Sequence, residues 1–167
     1  SGVIQDAAGN AFAGITDATA LNFTTAAASD TTAPTLVSST PADNATAVAI
    51  DSDLVLTFSE GIAAGSGNIL IKKTADNTAV ATIAVTDSKQ VTISGSTLTI
   101  NPTANLASST GYYLEIASGV IQDAAGNAFA GITDATALNF TTAAASDTTA
   151  PTLVSSTPAD NATAVAI

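Results

Sequence analysis

Oxygen is the only ligand chemistry this sequence offers in quantity. It carries 14 Asp and Glu, no His and no Cys, and its only cations are Lys72, Lys73 and Lys89. Without imidazole or thiol there is no Ser-His or Cys-His nucleophile pair and no zinc site, and no phosphate-binding or dinucleotide-binding glycine motif occurs. Glycoside hydrolysis by two carboxylates, Glu60 and Glu115, is formally possible. It needs a groove lined by aromatics, and the five Phe and two Tyr fall mostly at core-facing strand positions, so no enzyme is expected. Carboxylates and Asn side chains can instead hold a hard cation. Calcium accepts about six to eight oxygen ligands, whereas magnesium demands a tighter octahedron.

Four residues carry that possibility. Glu60 directly follows the run DLVLTF, Asp30 interrupts the small-residue stretch TTAAASDTTAPT, and Asp123 and Asn127 bracket DAAGN. The last motif reads equally well as a plain turn, with Gly126 supplying a positive φ and Asp123 capping its own backbone. Asp43, Asp51, Asp53, Asp76, Asp87 and Glu115 read as turn residues or solvated charges, and Asp134 as a turn residue or a peripheral ligand. Asn22, Asn44, Asn139 and Asn161 begin N-x-T sequons, which chance explains in so Thr-rich a chain.

The elements that position these groups are short strands. In DLVLTFSE, Leu54, Leu56 and Phe58 alternate with Val55 and Thr57, the period of two of a half-buried strand. PTLVSS (34–39), NILIKK (68–73), AVATIAV (79–85), KQVTIS (89–94), STLTIN (96–101), YYLEIA (112–117) and ALNFTT (137–142) behave alike, separated by turn signals. TANLASS is the one candidate helical turn and is short enough to be a loop. Eight such strands predict an all-β antiparallel sandwich, and Tyr112 or Tyr113, opening a late strand, resembles a tyrosine corner.

The sequence also repeats itself: residues 1–50 recur at 118–167, an offset of 117. A unit of that size is a self-sufficient domain, unlike the shorter repeats of solenoids. The linker TTAAASDTTAPT predicts a complete repeat over 30–146, with 1–29 as the C-terminal hairpin of a preceding repeat and 147–167 as the first strand of a following one. The window is therefore expected to be interior to a longer chain. A formal charge of −11 argues against nucleic acid and anionic membrane surfaces as partners. No run of about 18 apolar residues reads as a membrane span.

The segments DTTAPTLVSSTPADNATAVAIDSDLVLTFSEGI, YYLEIASGVIQDAAGN and LNFTT resemble bacterial Ig-like domains found in tandem in large surface adhesins and S-layer proteins, the SbsA-type module. The resemblance implies an immunoglobulin-like β-sandwich serving as a spacer in a secreted bacterial protein, extracellular and at the cell surface. In such a topology the first strand begins, the second ends and the late hairpin turns at one pole. That would bring Asp30, Glu60 and Asp123 together with Asn127 nearby, where calcium would relieve their repulsion and stiffen the joint between adjacent identical repeats. The alternative is lateral packing or strand exchange with neighbouring chains into a filament, sheath or S-layer.

Overall fold

The computed structural model describes residues 4–164; the outermost residues of the two predicted flanking segments, 1–3 and 165–167, lie outside it. The chain divides into two compact units at the Asp30–Thr31 bond.

All the regular structure among the described residues of the larger unit is β. One sheet contains β1 (Leu36–Thr40), β3 (Leu54–Phe58), β7 (Val91–Ser94) and β8 (Thr97–Ile100) in the order β1-β3-β8-β7, antiparallel throughout. The second contains β2 (Ala45–Val48), β5 (Asn68–Lys73), β6 (Ala79–Ala84), β9 (Gly111–Ile116) and β11 (Asn139–Thr142) in the order β2-β11-β9-β5-β6. Among the described residues only the β2–β11 pair is parallel. A third, two-stranded ribbon joins β4 (Ala63–Ala64) to β10 (Ile121–Gln122).

Alternation in the sequence becomes burial in the fold. Leu54, Leu56 and Phe58 of β3 are buried together with Leu98 and Ile100 of β8, Ile69 and Ile71 of β5, and Tyr112, Leu114 and Ile116 of β9, forming one core between the two large sheets. The opposite face of the four-stranded sheet is hydroxylated. Ser38, Thr57, Thr97 and Ser94 pair in a row across all four strands, so Thr and Ser meet water where Leu and Ile would not.

The fold is the expected all-β sandwich, and each of the eight runs contributes a strand. β2, β4 and β10 were not anticipated: β4 and β10 have two residues each and no period to register, and β2 is the small-residue run ATAV, interrupted by Ala47 at positive φ. TANLASS forms no helix. Tyr112 is the corner tyrosine, since the backbone N–H of Ala107, five residues upstream, donates to its hydroxyl oxygen at 2.9 Å. Tyr113 instead donates its hydroxyl to Asn77 Oδ1 at 3.0 Å.

The smaller unit shows what the core strands supply. Phe12 and Phe23 occupy the repeat positions of Phe129 and Phe140, yet they are 54% and 86% exposed against 6% and 3%. Identical side chains are wet in one setting and dry in the other because the copy lacks the sheets that cover them.

Candidate metal centre

The DAAGN loop shapes itself. Asn127 donates its backbone N–H to Asp123 Oδ1 and its side-chain Nδ2 to Asp123 Oδ2, both at 2.7 Å. The Asp123 N–H donates to the Asn127 carbonyl at 3.1 Å, and Gly126 makes the reversal at φ 92°. The earlier copy closes the same way. Asn10 donates to Asp6 Oδ1 and Oδ2, both at 2.8 Å, with Gly9 at φ 86°. Since Asp6 is exposed and Asp123 is only 3% exposed, the loop geometry is local chemistry and does not depend on burial. The turn reading of DAAGN is therefore correct as far as it goes.

Burial and neighbours are what distinguish Asp123. β10 ends at Gln122, which pairs with Ala63, and Ile121 pairs with Ala64. This ribbon draws the segment after β3, which carries Glu60, to the base of the DAAGN loop. Phe58 at the end of β3 packs edge-to-face on Phe129 just beyond the loop, with ring centroids 5.2 Å apart. The segment leading into β1 is clipped to the same place: Ser59 N–H donates to the Thr35 carbonyl at 2.9 Å, and Thr35 N–H donates to Ser59 Oγ at 3.0 Å.

One carboxylate oxygen from each of Asp30, Glu60 and Asp123 lies within 4.8 Å of the others. Asp30, peptide-bonded to Thr31, is exposed, Glu60 is half-buried and Asp123 is buried. The Asn127 side-chain amide holds the Asp123 carboxyl below its usual range, opposed by burial and helped by the backbone N–H groups of Asn127, Gly126 and Ala125. Asn127, predicted as a ligand, here turns its amide nitrogen to Asp123 and orients that carboxylate. Three anionic oxygen donors of graded exposure fit a hard divalent cation, and calcium tolerates such irregular sets better than magnesium.

The other acids do different work. Asp134 caps its own turn, accepting from Thr136 N–H and Oγ1 at 2.8 Å each, and does not join the cluster. Asp43 pins β11 by accepting from Asn139 N–H and Nδ2 at 3.0 and 3.1 Å, a clamp across 96 residues that sequence spacing gave no means of finding. Glu115 pairs with Lys72 at 2.8 Å on the outside of the five-stranded sheet.

No helix among the described residues is long and apolar enough to cross a membrane. No curated protein matches the chain. The pattern of the family described as bacterial Ig-like domain matches residues 30–142, from the first carboxylate of the cluster to the last residue of β11. Domains of that family are structural modules, typically extracellular or surface-exposed. With that match over more than half its length and a β-sandwich to go with it, this chain belongs to the bacterial Ig-like domain family.

Proposed function

We propose that this chain is a stalk segment of a secreted bacterial surface adhesin, in which identical Ig-like repeats, each spanning 30–146, extend a binding tip from the cell and calcium at Asp30, Glu60 and Asp123 stiffens each joint. The observation that carries this reading is the convergence of those three carboxylates, one of them in the sequence that links repeat to repeat. Verbatim repetition suits an extender, because reach grows with copy number while every joint stays the same. A surface this acidic, with three lysines in 167 residues, also limits non-specific contact between neighbouring copies.

The ion would be held by carboxylate oxygens alone or with backbone carbonyls and water, at the sub-millimolar to millimolar affinities of extracellular modules. It would neutralise charge at the joint and join the linker to the sandwich.

Thermal unfolding in EDTA and in calcium tests the reading. Saturation at about 100 times the dissociation constant adds roughly 2.7 kcal/mol, which at about 2–4 °C per kcal/mol raises Tm by about 5–11 °C for a chain of this length. Asp123→Asn, which preserves shape, abolishes the gain. Equal melting of both proteins with and without calcium would sink the calcium joint. Small-angle scattering of a two-repeat protein then reports whether the maximum dimension lengthens with calcium.

A further inference from the structure

Four sheet edges are open along the sandwich, and three are blunted. β2 has four residues and is broken by Ala47 at φ 56°. β1 carries a bulge between Leu36 and Ser38, and β7 has only four residues. β6 is different: AVATIA is six residues long, without charge, Pro or Gly. Its one irregularity is at its start, where Lys72 pairs with Ala79 and Ile71 with Ala81, leaving Val80 bulged and exposed. From Ala81 to Ala84 the pairing is regular. The Val85 N–H donates inward to the Gly67 carbonyl at 3.1 Å. By alternation, Ile83 also turns its backbone toward β5, and Thr82 and Ala84 point their N–H and C=O groups away from the sheet.

Charge singles out the same edge. Residues 68–94 hold all three cations of the chain and only two of its 14 acids. One Lys and one Asp flank each end of β6. Asp76 feels the Lys73 charge before the strand, and after it Asp87 accepts the Lys89 N–H at 3.1 Å.

We infer that β6 is the surface through which a second copy of this chain docks, antiparallel about a two-fold axis at Ile83. In that register Thr82 and Ala84 exchange N–H···O=C bonds with the partner's Ala84 and Thr82, joining two five-stranded sheets into one of ten strands. The Lys73 and Asp76 end of one strand then faces the Asp87 and Lys89 end of the other, so opposite charges meet at both ends. The contact is isologous and closes as a dimer, cross-linking one stalk to the next. It does not depend on calcium.

Sedimentation equilibrium in EDTA, up to about 1 mM protein, where weak association becomes visible, tests this. A concentration-dependent dimer is expected, loosened by added salt. Thr82→Pro removes an outward donor at an edge position that tolerates proline, and Ala84→Lys adds a charge on the open strand. Each weakens the dimer at least tenfold while circular dichroism shows an unchanged fold. A chain that stays monomeric throughout overturns the inference, as does a dimer that neither variant affects. Neither result touches the calcium-dependent rise in Tm, so the two readings fail separately.

Discussion

A side chain on Gly65 would collide with the carbonyl oxygen of Gly119. The two backbones meet there because Gly65 N–H donates to the Val120 carbonyl at 2.9 Å and Ser66 N–H to the Gly119 carbonyl at 3.3 Å, directly continuing the β4–β10 ribbon. The obstructing atom is backbone and cannot swing aside. Gly65→Ala therefore pushes the ribbon apart and costs about 1–3 kcal/mol, the usual range for overpacking. Because the ribbon brings Glu60 toward Asp123, the same variant loses the rise in Tm with calcium. A denaturant titration measures the first effect, and melting with and without calcium the second. Stability equal to the parent's would refute the clash, and an unchanged rise in Tm with calcium would mean the ribbon does not position the cluster.

The two copies of one phenylalanine give a comparison within a single chain. Phe129 is buried edge-to-face against Phe58, whereas Phe12 is half exposed. Phe129→Ala should cost about 3–5 kcal/mol. Phe12→Ala should stay within about 0.5 kcal/mol of the parent, as surface substitutions do. Urea midpoints of the two variants, read with unchanged slopes, decide it. Equal losses would show that the earlier copy is as well packed as the later one.

Much of this architecture was legible because local and global signals agree. Leu54, Leu56 and Phe58 alternate in sequence and are buried in the fold, and Tyr112 stands at the strand opening where a corner tyrosine belongs. The convergence of Asp30, Glu60 and Asp123 followed from topology, since an immunoglobulin-like chain path brings those three points to one pole. The means of convergence was not legible. Two-residue strands such as Ala63–Ala64 have no period to detect, and the only trace of the ribbon is the pair of small, glycine-rich stretches GSG and SGV that let the backbones touch. The Asn127 side chain could not be assigned either. Spacing says that Asn127 lies four residues from Asp123, but does not encode the bond its amide nitrogen donates to Asp123 Oδ2.

Tyr112 and Tyr113 should respond unequally to loss of their hydroxyls. Tyr112 is 1% exposed and ties the segment before β9 to the core by accepting the Ala107 N–H, so Tyr112→Phe releases that tie and costs about 1–1.5 kcal/mol. Tyr113→Phe leaves Asn77, on an exposed turn, free to bond water, and costs less than about 1 kcal/mol. Chemical denaturation of both variants checks the order, and a reversed order would refute the corner assignment.

Acid should weaken the fold over a definite window. The carboxyls of Asp76, Asp87, Asp123 and Asp134 are all held below their usual range: Asp76 and Asp134 chiefly by backbone N–H donors, Asp87 and Asp123 chiefly by side-chain amides. A group whose pKa is lower folded than unfolded binds protons more readily when unfolded. Its contribution is therefore complete above the unfolded value near 3.8 and lost as pH falls through the folded one. In EDTA, Tm should be level from neutral pH down to about 5 and then fall steadily below about 4. A Tm that rises on acidification below that point would contradict the assignment of these carboxylates as charged acceptors.

Asn127 separates turn chemistry from ion binding. If DAAGN were only a turn, Asn127→Ala would lower Tm by the same amount in EDTA and in calcium, since the lost amide bond to Asp123 Oδ2 is internal to the loop and the backbone bond to Oδ1 survives the substitution. If Asn127 holds the Asp123 carboxylate in place for a cation, the variant also needs more calcium to reach its plateau. Asn10→Ala, the same change in the exposed copy, removes an equivalent amide bond to Asp6 and should leave the calcium midpoint of the Asp123 cluster unmoved. Calcium titrations of the two variants, followed by Tm, give the answer as a shift in midpoint. A shift for Asn127→Ala and none for Asn10→Ala assigns the amide a positioning role at the metal, and identical midpoints return DAAGN to turn chemistry alone.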